Sequence, residues 1–224
     1  MWTPVGTPVK GARDVAPPQL SLALTPNTLG NIMVVAVGND YGIYSSLVTV
    51  TGGGVTIWNL LKLNNVGAAD SNVAIFYGEI TATGPQTLNV NTSGFVVSAI
   101  AQEFIPPAGI IVTDGSNSAN TSATSGNFPP LLPTGIDELY LAVLLGDQPL
   151  GGAALGYTYI AGASITYVGS FLQFVYHTNA ANPTVYSPPW TSGEAVYIPA
   201  RLLASGLLSV GTPIPTTEQN VMIL

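Results

Sequence analysis

The stretch from Gly52 to Phe104 constrains the fold more than any other part of the chain. Four β-like runs lie within it, Val55–Leu63, Asn72–Ile80, Gln86–Thr92 and Phe95–Phe104. Asn64–Ser71, Thr81–Pro85 and Ser93-Gly94 separate them with residues that favour turns. Short β-rich runs at this spacing predict an antiparallel sandwich or barrel. Alternation places Val73, Ile75 and Tyr77 on one face and Ala74, Phe76 and Gly78 on the other. In Val55–Leu63 it aligns Val55, Ile57, Asn59, Leu61 and Leu63. Upstream, Asn31–Val37 is nearly continuously apolar, the pattern of a strand covered on both faces.

The second part of the chain repeats the first. Pro26–Val37 matches Pro133–Leu144 in pattern, Gly54–Ile57 resembles Gly156–Tyr159, and Val73–Tyr77 resembles Leu172–Tyr176. Gly94–Val97 resembles Gly193–Val196. Such a repeat means two similar halves of one sandwich or two small sandwiches, and one compact unit is the favoured reading. The expected fold is an all-β, antiparallel β-sandwich, jelly-roll-like, with extended arms at both ends. The boundaries are an N-terminal arm over 1–18, a sandwich domain over 19–203 with halves at about 20–107 and 128–203, and a C-terminal arm over 204–224. Pro4, Pro8, Pro17 and Pro18 argue against helix or central strand in the first arm. Pro213 and Pro215 mark the second, which ends in Val221-Met222-Ile223-Leu224. Arg201–Leu208 reads as a short helix or a final strand, and Asp114–Asn127 as a polar loop or weakly paired edge strand.

With 224 residues the chain can bury a core without staples. Only 7% of residues are charged, so Ser, Thr, Asn, Gly and backbone cover the surface, or neighbouring subunits do. Lys10, Arg13, Lys62 and Arg201 are scattered, which argues against nucleic acid as a partner. The absence of cysteine removes disulfide and thiolate chemistry. Met1–Pro18 lacks the basic start and apolar centre of a signal peptide. No Asp, Glu, Lys or Arg lies between Asp147 and Glu194, yet prolines, glycines and polar residues interrupt that stretch, so membrane insertion is not expected.

Candidate sites compete with plainer readings. His177, the single histidine, lies near Ser170 and Asp147 in sequence, but nothing frames a nucleophile elbow. Glu79 and Glu103 fall near strand ends and are the pair that glycoside hydrolysis would use. Asp114, Asp137, Glu138 and Asp147 offer loop oxygens of the kind calcium takes, without a recognised spacing. Gly52-Gly53-Gly54 resembles a phosphate cradle but lacks the following lysine and helix, so a turn is expected. Tyr186 and Trp190, in Tyr186-Ser187-Pro188-Pro189-Trp190, are the candidate surface-recognition loop, with aromatic faces suited to sugar rings. Trp2, Val5 and Val9 in the first arm, and Val221, Met222, Ile223 and Leu224 in the second, are the candidate partner-binding residues. No catalytic residue, metal ligand or cofactor is assigned.

Gly53-Gly54-Val55-Thr56-Ile57-Trp58, Ile75-Phe76-Tyr77-Gly78, Gln86–Val90, Ala101-Gln102-Glu103-Phe104 and Pro133–Tyr140 occur in an order that resembles a β-sandwich family of tailed bacteriophages and prophages, particularly of actinobacterial phages. Its members are often described as minor tail or other virion structural proteins. The resemblance covers about Leu20–Leu203 and brings no catalytic motif. It implies a non-enzymatic virion structural protein, a minor tail or tail-tip subunit, with a capsid decoration protein and a carbohydrate-binding adhesin as alternatives. The implied partners are other virion proteins and further copies of the chain, with a host-surface glycan as a further one. The implied location is the virion, assembled in the host cytoplasm.

Overall fold

In a computed structural model, which describes residues 1–14, 19–42, 48–66, 71–92, 94–147, 151–163, 170–192 and 201–211, every regular element is a β-strand. Two five-stranded antiparallel sheets form the body. The first has the order β1-β8-β3-β6-β5, from Thr3–Arg13, Gly94–Ile105, Ile32–Gly42, Ser71–Glu79 and Asn59–Val66. The second has the order β12-β13-β11-β15-β9, from Thr158–Ala161, Ser170–Ala180, Glu138–Asp147, Arg201–Gly211 and Ile110–Thr121. A three-stranded sheet of β2 (Gln19–Leu24), β7 (Gln86–Asn91) and β4 (Thr49–Gly52) backs the first. A two-stranded sheet of β10 (Ser125–Asn127) and β14 (Pro189–Thr191) backs the second.

Side-chain alternation explains this layering. Val34, Ala36, Val73, Ile75 and Ile100 point from the first sheet into a cluster shared with Leu141, Val143, Phe174 and Ala204 of the second. Met33, Val35, Val37, Ala74 and Phe76 point the other way, onto Leu22, Val50 and Leu88 of the three-stranded sheet. Tyr140, Ala142, Leu144 and Leu203 leave the second sheet on its far side to meet Phe128, Tyr186 and Trp190. A strand covered on both faces has no polar face, which accounts for the uninterrupted apolar runs of β3 and β11. The sandwich is therefore four layers deep, and its halves share the central core.

The strand ladders extend the repeat. Ala36 pairs with Ile75, and their counterparts Val143 and Phe174 pair in the same way. β8 lies between β1 and β3 as β15 lies between β9 and β11, so β1 corresponds to β9. This moves the expected boundaries. The segment expected as an arm over 1–18 contributes an edge strand, paired with β8 from Thr3↔Ile105 to Arg13↔Val97. Its prolines fit because an edge strand has one unpaired side, and the ladder is irregular between Val5 and Val9. Trp2 is buried in the shared core and Val9 packs on the second cluster, so both serve this chain's own body. Val5 is half-buried. The polar stretch from Asp114 falls in β9, the matching edge. Likewise, residues 204–211, assigned to the second arm, are the interior of sheet two as part of β15. Val221, Met222, Ile223 and Leu224 lie outside the described residues, as do Gly193–Val196.

Within Val55–Leu63 the simple alternation fails. The strand starts at Asn59, and a register shift between Leu60 and Lys62 turns Leu61 inward while Ile57 and Leu63 stay exposed. Gly52, Gly53 and Gly54 form the expected turn with φ of 72°, 69° and 78°. A Cβ on Gly52 would collide with the Thr87 carbonyl oxygen, so no side chain fits there. Gly53 N donates to Thr87 O and Val55 N to Gly52 O, which commits the turn's amides to the fold rather than to a phosphate.

Candidate functional site

The two halves meet at one end in a groove of about 410 Å³. Ile32 from β3 and Tyr77 and Glu79 from β6 line it from the first half, and Ile110 and Ile111 from β9 line it from the second. Pro106 and Gly109 of the β8–β9 connection close it. Asn59 and Glu79 also line a neighbouring cavity of about 260 Å³ together with Ile57. The groove lining is more polar than apolar, but Ile110 in it is 56% exposed and Ile57 in the neighbouring cavity 71%. Tyr77 Oη lies 3.3 Å from Thr113 Oγ1, a polar tie across the groove. β5 and β9 are the sheet edges on this flank, and Asn64 of β5 donates to Ala119 O of β9 at 2.9 Å and to Leu203 O of β15 at 2.9 Å.

The acids singled out in the sequence separate into structural roles. Glu103 is buried, and its two oxygens receive four hydrogen bonds. Oε2 accepts from Asn27 N at 3.0 Å and Asn27 Nδ2 at 3.2 Å. Oε1 accepts from Thr28 N at 3.3 Å and Asn31 Nδ2 at 2.5 Å. The carboxylate thus anchors the turn that feeds β3. Glu79 is exposed in the groove, whereas Glu103 lines a different cavity beside β1, so the two do not face one scissile bond. Asp40 was not singled out from sequence. Buried at the far end of β3, it accepts from Ser71 Oγ at 2.6 Å and Ser170 Oγ at 2.5 Å, tying the two halves together.

Asp114 and Glu138 do come together. Asp114 accepts from Thr134 N at 2.7 Å and Thr134 Oγ1 at 2.5 Å, and Glu138 Oε1 accepts from Gly135 N at 2.6 Å. Burial pushes the Glu138 carboxyl up to about 7, against the hydrogen bond from Gly135, and the Asp114 carboxylate adds to the rise. Asp114 is itself held below its usual value because the bonds from Thr134 outweigh its desolvation. These oxygens hold the 133–138 turn, as Glu103 holds the equivalent turn in the first half. Asp137 faces the Met1 ammonium group at 3.7 Å instead. Among the described residues no three acidic or histidine side chains form a cluster suited to a metal ion. The Asp147 side chain lies outside the described part of the structure.

His177 and Ser170 sit on one strand, separated by about 23 Å at the rise of an extended chain. Ser170 is engaged with Asp40, while His177 Nδ1 accepts from Asn179 N at 3.2 Å. Burial lowers the His177 pKa, and its ring packs on Tyr157 and Tyr186 at 5.0 and 5.1 Å.

Tyr186 and Trp190 are the main correction among the candidate sites. They are 7% and 1% exposed and form the outer core of the second half. Tyr186 Oη accepts from Ala181 N at 3.0 Å, and the flanking Ser187 Oγ donates to Phe128 O at 2.6 Å. The reason is geometric: β10 and β14 are only three residues long, so large rings must cover the sheet that a three-stranded layer covers in the first half. Tyr157 and Tyr159, half-buried, are the aromatic side chains that reach the surface beside them. Among the described residues no helix is long and apolar enough to cross a membrane. Comparison with protein-family models, curated proteins and solved structures found no match.

Proposed function

We propose that this chain is a structural subunit of a tailed-bacteriophage virion, a minor tail or tail-tip protein that acts by assembly rather than by chemistry. The observation that carries the reading is the pair of exposed isoleucines, Ile110 in the groove between the halves and Ile57 in the cavity next to it, beside the outer edge of β9. An exposed apolar surface next to an edge strand is a place for another chain. The low charge of the sequence, 7%, fits a surface made for contact. Glu103, Asp40 and Asp114, acids of the type that hydrolysis or metal binding would need, are engaged in holding turns and halves together. The order of the motifs from Gly53 to Tyr140 supplies the phage assignment.

The test is mass spectrometry of purified particles, with heads and tails separated. A low-copy signal in tails is the expected result. A high-copy signal in heads would replace the tail role with a capsid decoration role, and absence from both fractions would refute the virion reading. Deleting residues 1–18 is not a clean assembly test, because it removes β1 and Trp2 from the fold. A glycan-binding role is the second reading, favoured by the half-buried Tyr157 and Tyr159 next to the fully exposed Leu155. Binding to a glycan array that is lost in Tyr159→Ala would support it.

A further inference from the structure

We propose that the turn leading into β11 is a proton-operated latch: one proton on Glu138 Oε2, donated to Asp114, holds the turn closed, and its loss at rising pH releases it. The two halves hold equivalent turns by different chemistry. Pro133–Leu144 aligns with Pro26–Val37, so Thr134, Gly135 and Glu138 stand where Asn27, Thr28 and Asn31 stand in the first half. In that half one carboxylate takes both turn amides: Glu103 accepts from Asn27 N on Oε2 and from Thr28 N on Oε1. Asn31 Nδ2 donates to the same carboxylate. In the second half the work is divided. Asp114 accepts from Thr134 N at 2.7 Å, and Glu138 Oε1 accepts from Gly135 N at 2.6 Å. Asp114 reaches the turn because it is the extra residue of a bulge in β9, between Thr113↔Leu208 and Gly115↔Leu207.

The carboxamide of Asn31 carries its own hydrogens, whereas the carboxylate of Glu138, in the same position, carries none. Glu138 is buried, and its Oε2 meets no donor among the described residues. The group within hydrogen-bonding reach is the Asp114 carboxylate, itself an acceptor. Two carboxylates side by side repel and leave a buried oxygen unsatisfied. A proton on Oε2 removes both faults and reproduces the contact that Asn31 makes with Glu103. The surroundings offer no cation in its place. Asp137, in the same turn, faces the Met1 ammonium group at 3.7 Å. β15 brings Leu208 beside the start of β11, and β13 brings Ala180 and then His177, whose pKa burial lowers. Residues 125–132 and 181–192, which cover this face, contain no charged side chain. Burial raises the Glu138 carboxyl to about 7, so the closed turn keeps its proton where an open one would release it. The latch is therefore complete in acid and is lost as pH rises through about 7. The first-half turn needs no proton and has no such dependence.

Hydrogen exchange of the native chain, read by NMR at about pH 5.5 and about pH 8.5 and expressed as protection factors, compares the two turns directly. Protection of the Thr134 and Gly135 amides should fall about tenfold across that range, while the Asn27 and Thr28 amides keep theirs. Glu138→Gln supplies a permanent donor: its Oε1 accepts from Gly135 and its Nε2 takes the place of the proton. In this variant the Thr134 and Gly135 amides should stay protected at both pH values. Equal behaviour of the two turns in the native chain would overturn the proposal, as would the same loss of protection in Glu138→Gln. The comparison of turns within the native chain decides by itself if the variant does not fold.

Discussion

Replacing Glu103 with Gln separates a structural carboxylate from a catalytic one. The carboxylate accepts two donors on each oxygen, Asn27 N and Nδ2 on Oε2, Thr28 N and Asn31 Nδ2 on Oε1. A carboxamide of the same shape keeps one oxygen and presents an NH2 group in place of the other. Whichever way it turns, two donors lose their acceptor and face another donor. Hydrogen bonds to a charged group contribute about 1.5–3 kcal/mol each, and neighbouring losses are not additive, so the expected cost is about 2–4 kcal/mol. Urea unfolding at pH 7 should show a lower midpoint with an unchanged slope. Glu79→Gln is the control, because its exposed side chain predicts a change within about 0.5 kcal/mol. If Glu103→Gln matches that control, the turn before β3 does not depend on the carboxylate and the anchoring argument is wrong.

Two further outcomes come from the geometry. The buried Glu138 has its pKa raised from 4.5 to about 7 in the folded chain, so the folded state holds this proton more tightly than the unfolded state. Its contribution to stability therefore declines as pH climbs through that window, with the full penalty present above about 7. Midpoints for the native chain and Glu138→Gln, measured from pH 4.5 to 8, should diverge, and parallel curves would refute the assignment. At Gly206 in β15, a Cβ would overlap Leu61 Cδ2 of β5, across the shared core. Gly206→Ala should cost about 1–3 kcal/mol, and adding Leu61→Ala should recover part of it. Strictly additive losses in the double variant would show that the two sheets do not meet there.

The sandwich was legible where strands are buried. Ile32–Val37 and Leu139–Leu145 declare two covered faces by having no polar alternation, and the β6/β13 repeat has the register its side chains imply. The edges were not legible. β1 contains prolines and β9 is largely polar, because a strand with one bare side needs little apolar content and carries a weak signal. That is why the repeat read from sequence began at about residue 20 instead of at β1. Tyr186 and Trp190 misled for another reason. Prolines around them signal a loop, and nothing local says that this loop is the lid of a core. The groove belongs to neither half alone: Ile32 and Tyr77 meet Ile110 only through the packing of two sheets, so no contiguous stretch encodes it.

β15 is the C-terminal-most described strand, yet it occupies an interior slot between β11 and β9. During synthesis those two strands leave the ribosome with a gap between them that nothing made so far can fill. The first half meanwhile waits with Val34, Ile75 and Phe104 uncovered. Completion must therefore wait for the last described strand, when Arg201–Gly211 pairs with both flanks. Until then the nascent chain offers two open strand edges and half a core to any neighbour. A chain truncated anywhere before residue 201 is expected to be captured by chaperones or to aggregate, not to persist as a smaller sandwich.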